Sequence, residues 1–194
     1  MVIHALKEDM AMKKKTKFIW ILIVSLLLIV VGYTRYYPIK HDTIELRHII
    51  EDKFGVNTER FTSIGLNNKD FYYFVVAGDN IAVVRMKMGV FNRLRYQGMS
   101  YTGANFVNGV VESKGNKYLL VGGKNPNHEI EKISFILDNI PYEIDLVNPG
   151  DTFFEYIQID NKTFDDHIFL DNTILYNGNG EDITATIDTS SGGV

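Results

Sequence analysis

Hydrophobic positions follow three different patterns along this chain of 194 residues. The lysine-rich segment Lys13–Lys17 is followed at once by the apolar run Phe18–Val31, which only Ser25 interrupts. A short stretch after Asp42 then has helical spacing, and beyond Glu59 apolar residues recur with a period of two. The patterns therefore predict a membrane helix, one amphipathic helix and a β-rich domain, in that order.

The N-terminal run predicts a transmembrane signal-anchor helix over residues 18–37. Phe18–Val31 alone is about 14 residues long, shorter than the roughly 20 that span a bilayer, but the residues up to Tyr37 extend it through the outer interface. Trp20 and Tyr36 lie at the depths that aromatic residues favour. Lysines hold the flanking segment, residues 1–17, in the cytoplasm, which predicts that the C-terminal part lies outside the cell.

A cleaved signal peptide is the alternative interpretation, because an apolar stretch of 7–15 residues also fits one. Val30-Val31-Gly32 offers a small-residue site, but no Ala-x-Ala follows it and bulky Tyr33 would begin the mature chain. A retained anchor is therefore favoured. Lipoprotein anchoring is excluded because the chain contains no cysteine to acylate.

Residues 38–41 are predicted to form a stalk and residues 42–187 a helix-plus-β domain. Asp42 is placed to cap the helix, with Glu45 at capping-box spacing, and Gly55 is placed to end it. The apolar residues of this helix fall on one face, which is expected to dock on a sheet; they are Leu46, Ile49, Ile50 and Phe54. Residues 188–194 are small and polar and are expected to form a flexible tail.

The remaining sequence has the pattern of an antiparallel β domain. Phe71–Val76 is apolar on both faces, as in a central strand, and Gly78-Asp79-Asn80 predicts a turn before the hairpin partner Ile81–Met88. Many short strands at regular spacing, separated by Gly and Asn, predict a mainly β fold, either a sandwich or a barrel. The other predicted strands are Val90–Gln97, Ala104–Ser113, Lys117–Gly122, Ile130–Asp138, Tyr142–Val147, Phe153–Asp160 and His167–Tyr176.

Composition narrows the possible functions. From Pro38 onward the chain has 14 Lys or Arg against 22 Asp or Glu, a net charge of about −8. This balance argues against a nucleic-acid partner. Without cysteine there is no disulfide, thiol catalyst or thiolate metal site, which suits the outer face of a Gram-positive bacterial membrane.

One cationic cluster, around Gly89, is the candidate ligand-binding site: Arg85, Lys87, Arg93 and Arg95. With a three-residue hairpin loop Lys87 would face Arg93 and Arg85 would face Arg95, so that all four share a sheet face; with a two-residue loop they split between faces. Opposed like charges destabilise a sheet unless an anion neutralises them. The cluster is therefore either an anion site, for a lipid headgroup or wall polymer, or a solvated face balanced by the domain's own carboxylates.

Other motifs predict ordinary structure. Asp160–His167 lacks the spacing of a calcium loop, and Val121–Pro126 lacks the spacing of a phosphate loop. The spacing of Asp151 and Glu155 resembles a glycosidase pair, but such acidic pairs are mostly surface residues. The sequence therefore predicts no catalytic residues, no metal site and no cofactor.

Three functions remain open for a protein of this plan. The first is a non-catalytic module, membrane-anchored by its helix, that binds an anionic envelope component or another membrane protein. The second is an envelope hydrolase or transferase that uses carboxylates on the sheet. The third is an immunity-type protein that intercepts an exported toxin.

Overall fold

The computed structural model describes residues 2–55, 57–103, 105–147, 149–163, 173–186 and 191–193. The chain divides into two compact units, Met1–Pro38 and Ile39–Val194. The first unit is helix α1, Val2–Tyr36, in which Thr16–Tyr36 is long and apolar enough to cross a membrane. Those 21 residues correspond to a length of about 31 Å, close to the thickness of a hydrocarbon core, and none of that surface is buried.

The second unit is mainly β, as predicted, with one helix, α2, at Thr43–Phe54. Its strands are β1 Ile39–Lys40, β2 Arg60–Leu66, β3 Asp70–Ala77, β4 Asn80–Met88, β5 Arg93–Thr102, β6 Phe106–Ser113, β7 Asn116–Lys124, β8 Lys132–Leu137, β9 Ile140–Asp145, β10 Thr152–Ile159, β11 Thr173–Tyr176 and β12 Ser191–Gly193. They form sheet A, in the order β1-β5-β4-β3-β2, sheet B, β10-β7-β6-β12, and sheet C, β11-β8-β9.

The three sheets are stacked, and α2 covers the outer face of sheet A. Leu46 and Ile50 of α2 pack with Tyr73 and Val84 of sheet A in one apolar cluster. The opposite face of sheet A, including Phe74, packs on Phe154 and Leu120 of sheet B. A third cluster joins the other face of sheet B to sheet C. Both faces of sheet A and both faces of sheet B are therefore covered by another layer.

Helix α2 begins and ends at the predicted residues. The Asp42 carboxylate accepts hydrogen bonds from the backbone N–H groups of Ile44 and Glu45, each at 3.0 Å. Gly55 adopts a left-handed conformation, φ 64°, at the C-terminal end. The docking of this helix on a sheet is confirmed, since Leu46 and Ile50 are each 1% exposed.

The predicted strands are largely confirmed, with four differences. The strand predicted at Val90–Gln97 is β5, Arg93–Thr102, because Val90–Asn92 form the hairpin loop. Ile39 and Lys40 form β1 on the edge of sheet A instead of a stalk, because Ile39 is apolar and is buried against the α2 side of the sheet. β2 was not predicted as a strand. Ser191–Gly193, expected to lie in a flexible tail, pairs in parallel with β6 because small residues let their backbone join an open strand edge. Most of the predicted strand His167–Tyr176 lies outside the described residues, and its end forms β11.

Candidate functional site

The four predicted cations lie on β4 and β5, on the face of sheet A that is opposite to α2. Lys87 pairs with Arg95, and Arg85 and Arg93 lie two residues before them on β4 and β5, so strand alternation places all four on one face. Met86 and Leu94, at the intervening positions, are buried on the α2 side. Of the two arrangements that the sequence left open, the structure has the one with a shared face, whereas the anion-binding role remains a prediction.

The predicted cross-strand pairs are wrong, for two reasons. The loop does have three residues, Val90–Asn92, but Gly89 stays paired, since its N–H donates to the Arg93 carbonyl at 2.8 Å. A β-bulge at Gln97 then shifts the register, so that Arg85 lies opposite Gly98. Arg93 instead lies opposite Lys40 of β1, a fifth cation that was not predicted because β1 was not.

A cleft of about 390 Å³ opens between sheets A and B beside Arg85. Among the predicted cations only Arg85 lines it. Gln97 and Ser100 of β5 lie on the same wall, and Glu112 of β6 lies on the opposite one. Within the described part of the chain neither Arg85 nor Glu112 forms an ion pair. The cleft thus presents a guanidinium that has no ion-pair partner among the described residues, with the Glu112 carboxylate on the opposite wall.

Tyr72 of β3 adds an unusual polar group to this cleft. Its side chain is completely buried and lines the cleft, and its hydroxyl finds no hydrogen-bond partner among the residues that are described. The Arg85 guanidinium lies over the Tyr72 ring, 5.7 Å from its centroid. Burial raises the pKa of Tyr72 to about 12, although the Arg85 charge acts in the opposite direction. The hydroxyl is therefore a protonated donor at neutral pH.

Buried hydroxyl groups without a partner are costly, which makes Tyr72 informative. The adjacent Tyr73 has the same property but points to the α2 side of sheet A, and burial raises its pKa to about 12 as well. Tyr73 does not line the cleft. The two residues form a natural comparison, because both hydroxyls are buried without a partner among the described residues and only Tyr72 lines the cleft. Sequence reasoning missed Tyr72 because it lies in a uniformly apolar strand.

Asp151 and Glu155 have different surroundings. Asp151 precedes β10, and its carboxylate binds Arg60 and, at 2.7 Å, Nε2 of His128. Glu155 lies within β10 opposite Val121, and burial raises the pKa of its carboxyl group. The Asp151 carboxylate is therefore already bound by two side chains, those of Arg60 and His128.

The other motifs have structural explanations. Gly122 and Gly123 lie within β7, so Val121–Pro126 is the end of a strand and not a phosphate loop. Asp160–Thr163 forms a turn, and the rest of the segment to His167 lies outside the described residues. Among the described residues no group of three or more His, Asp or Glu side chains is placed to hold a metal ion.

No protein-family model, curated protein or solved structure matches the chain. Its function is therefore inferred from the geometry of its own residues.

Proposed function

We propose that this protein is a single-pass, membrane-anchored binding module of the bacterial cell envelope, with its β domain outside the cytoplasm. Helix α1 serves as the anchor, and the module is non-catalytic. It binds an anionic group of another envelope component in the cleft between sheets A and B. The observation that carries the proposal is the buried Tyr72 hydroxyl, which has no partner among the described residues and belongs to the ring that lies under the Arg85 guanidinium.

The cleft suits an anionic oxygen. The Tyr72 hydroxyl donates one hydrogen bond, and the Arg85 guanidinium supplies charge and further donors. Both residues line a cleft that is partly removed from bulk water, where charge-assisted hydrogen bonds are stronger. Glu112 on the other wall favours a ligand that carries a cationic or hydroxyl group next to its anion.

Membrane anchoring makes a modest affinity sufficient. A domain tethered to the bilayer meets other membrane and wall components at a high effective concentration, so a single charged contact in a small cleft is an adequate interface. The acidic balance of the rest of the domain restricts anion binding to the places where cations cluster.

Site-specific photocrosslinking in intact cells tests the proposal. A photoreactive side chain replaces Gln97, which is exposed and lines the cleft, and a second one replaces exposed Lys162 as the position control. The expected result is a crosslinked envelope component from position 97 and none from position 162. Tyr72→Phe and Arg85→Gln should each weaken capture, because a hydrogen bond to a charged group contributes about 1.5–3 kcal/mol, or about ten- to hundredfold in affinity.

Tyr73→Phe is the matched control for Tyr72→Phe. Each change removes a buried hydroxyl that lacks a partner, so both variants should be as stable as the parent or more stable by about 1 kcal/mol in thermal unfolding. Only Tyr72→Phe should weaken capture. Equal capture by both tyrosine variants, or undiminished capture by Arg85→Gln, would remove the cleft from the proposed function.

A further inference from the structure

The hairpin tip between β4 and β5 exposes two apolar side chains. The tip comprises Gly89, Val90, Phe91 and Asn92; Val90 is 62% exposed and Phe91 is 86% exposed. Phe91 also has a left-handed backbone conformation, φ 54°, which glycine or asparagine adopts at much lower cost than an aromatic residue. A loop that only faces water would be more stable with a small polar residue at this position, so the exposed aromatic ring requires another explanation.

Basic residues surround the base of this tip. Lys87 pairs with Arg95, and Lys40 pairs with Arg93, so that two cross-strand pairs each place like charges opposite one another. Asp70 of β3 lies opposite Lys87 on the other side of β4, and the remaining like-charge contacts become favourable beside an anionic surface. The tip therefore has apolar side chains at its exposed end and cationic side chains on the adjoining strands. This combination is found in segments that dock at lipid interfaces.

The tip lies next to β1, the strand that follows the apolar helix in sequence. The His41 N–H donates to the Asn92 carbonyl at 3.0 Å, and β1 pairs with the first residues of β5. Only Tyr37, Pro38 and Ile39 separate Lys40 from Tyr36, the last residue of α1. Four residue steps of chain reach at most about 14 Å, so Lys40 lies within that distance of the end of α1 in any orientation of the β domain.

We propose that the hairpin tip inserts Val90 and Phe91 into the lipid interface at the C-terminal end of α1, where Lys40, Lys87, Arg93 and Arg95 bind anionic headgroups. The proposal depends on the membrane anchoring in the proposed function but not on the cleft. Because the domain as a whole is acidic, an anionic leaflet repels most of its surface and attracts this basic region. The tip thus fixes which side of the domain faces the bilayer.

Tryptophan fluorescence of the full-length protein in vesicles tests this contact. Phe91→Trp is made in a Trp20→Phe background, so that position 91 carries the chain's one tryptophan. Vesicles contain phosphatidylglycerol and phosphatidylcholine, with quencher-labelled lipids at shallow or deep positions of the acyl chain. The expected result is a blue-shifted emission that shallow quenchers reduce more than deep ones. Tyr101→Trp, an exposed aromatic position at the other end of β5, is the control and should not be quenched.

Charge variants test the headgroup contribution. Replacing exposed Lys40 and Lys87 by Gln should reduce the ratio of inserted to free tip by about fivefold for each charge removed. Lys114→Gln with Lys162→Gln makes the same charge change elsewhere and should have no effect. Vesicles of phosphatidylcholine alone should reproduce the loss seen with the Lys40 and Lys87 variant.

The outcomes separate this proposal from the anchoring on which it depends. In the parent protein, quenching of Trp20 by the labelled lipids reports insertion of α1. Quenched Trp20 with an unquenched, red-shifted tryptophan at position 91 would overturn the tip contact and leave the anchor intact. A blue shift at position 91 without lipid quenching would assign the tip to a protein surface and would also overturn the proposal.

Discussion

At the scale of single residues, Gly122 shows how a sequence motif acquires a packing explanation. The run Val121–Pro126 contains two glycines before a lysine, a composition that superficially suggests phosphate binding. In the fold, a Cβ atom on Gly122 would lie 2.7 Å from the Phe74 ring and 2.9 Å from the Phe154 ring. These two rings stack at 5.2 Å and join sheets A and B. The glycine is therefore required by aromatic packing between layers.

Gly122→Ala should accordingly destabilise the β domain. Both neighbouring rings are buried and cannot move away without opening the contact between the sheets, and overpacking of this kind costs about 1–3 kcal/mol. We expect a melting temperature several degrees lower by near-ultraviolet circular dichroism of the detergent-solubilised protein. Gly98→Ala is the control, because a Cβ there meets no atom within 4 Å, and it should unfold like the parent. Equal stability of the two variants would contradict the packing role.

The candidate site also shows which residue-level features sequence can predict. The two cations on each strand are two residues apart, which places each pair on one face of its strand. Once the loop length is known, all four fall on the same face of the sheet: Arg85, Lys87, Arg93 and Arg95. The bulge at Gln97 has no comparable signal, because it depends on how β5 fits its partner over the whole strand. It is this bulge that places Arg85 opposite Gly98, next to the cleft.

At the scale of elements, a helix or strand is easier to predict when its pattern of apolar and polar residues is longer. Helix α2 was predicted with both ends because its cap residues and apolar face lie within 14 residues of sequence. β1 and β12 have two and three residues, too few for any period, and exist because a neighbouring strand offers its edge. The stacking of three sheets was also not predicted, since alternation indicates that a face is buried but not which layer covers it.

Glu51 ties the end of α2 to the chain that leads into β2. Its carboxylate accepts a hydrogen bond from the Thr58 N–H at 3.0 Å and one from Arg47 Nε at 3.1 Å. The Thr58 hydrogen bond, followed by Arg47, lowers the pKa of Glu51 below its ordinary value of 4.5. Because these contacts favour the charged form in the folded state, their stabilising effect is present above pH 4.5 and is lost as the pH falls through the lower, folded-state pKa.

Glu51→Gln should therefore lower stability at neutral pH and change its pH dependence. We expect the melting temperature of the variant to lie below that of the parent at pH 7 and to approach it as the pH falls below about 4.5. Asp52→Asn, an exposed change of equal charge on the same helix, is the control and should follow the parent at all pH values. A difference between Glu51→Gln and the parent that persists unchanged at low pH would contradict the role of the charge.

At the scale of the whole molecule, the absence of cysteine has two consequences. The β domain depends on packing between its layers, since no disulfide restrains the unfolded chain. Any cysteine introduced by substitution is also the chain's one thiol, so its accessibility reports a single position. Helix α1 is long and apolar enough to span a bilayer, and its flanking charges predict the direction in which it does so.

Cysteine labelling in intact cells tests that direction. A maleimide that cannot cross the membrane should label Lys162→Cys directly and Lys13→Cys only after permeabilisation, because lysines beside an apolar helix favour the cytoplasmic side of a membrane. A retained anchor further requires that labelled Lys13→Cys protein has the full mass of about 22.2 kDa. A cleaved signal peptide would separate Lys13 from the β domain, and Lys162→Cys would then be labelled on a shorter product. Labelling of Lys13→Cys in intact cells would show the opposite topology. The proposed cleft and hairpin-tip contacts would then have to form in the cytoplasm.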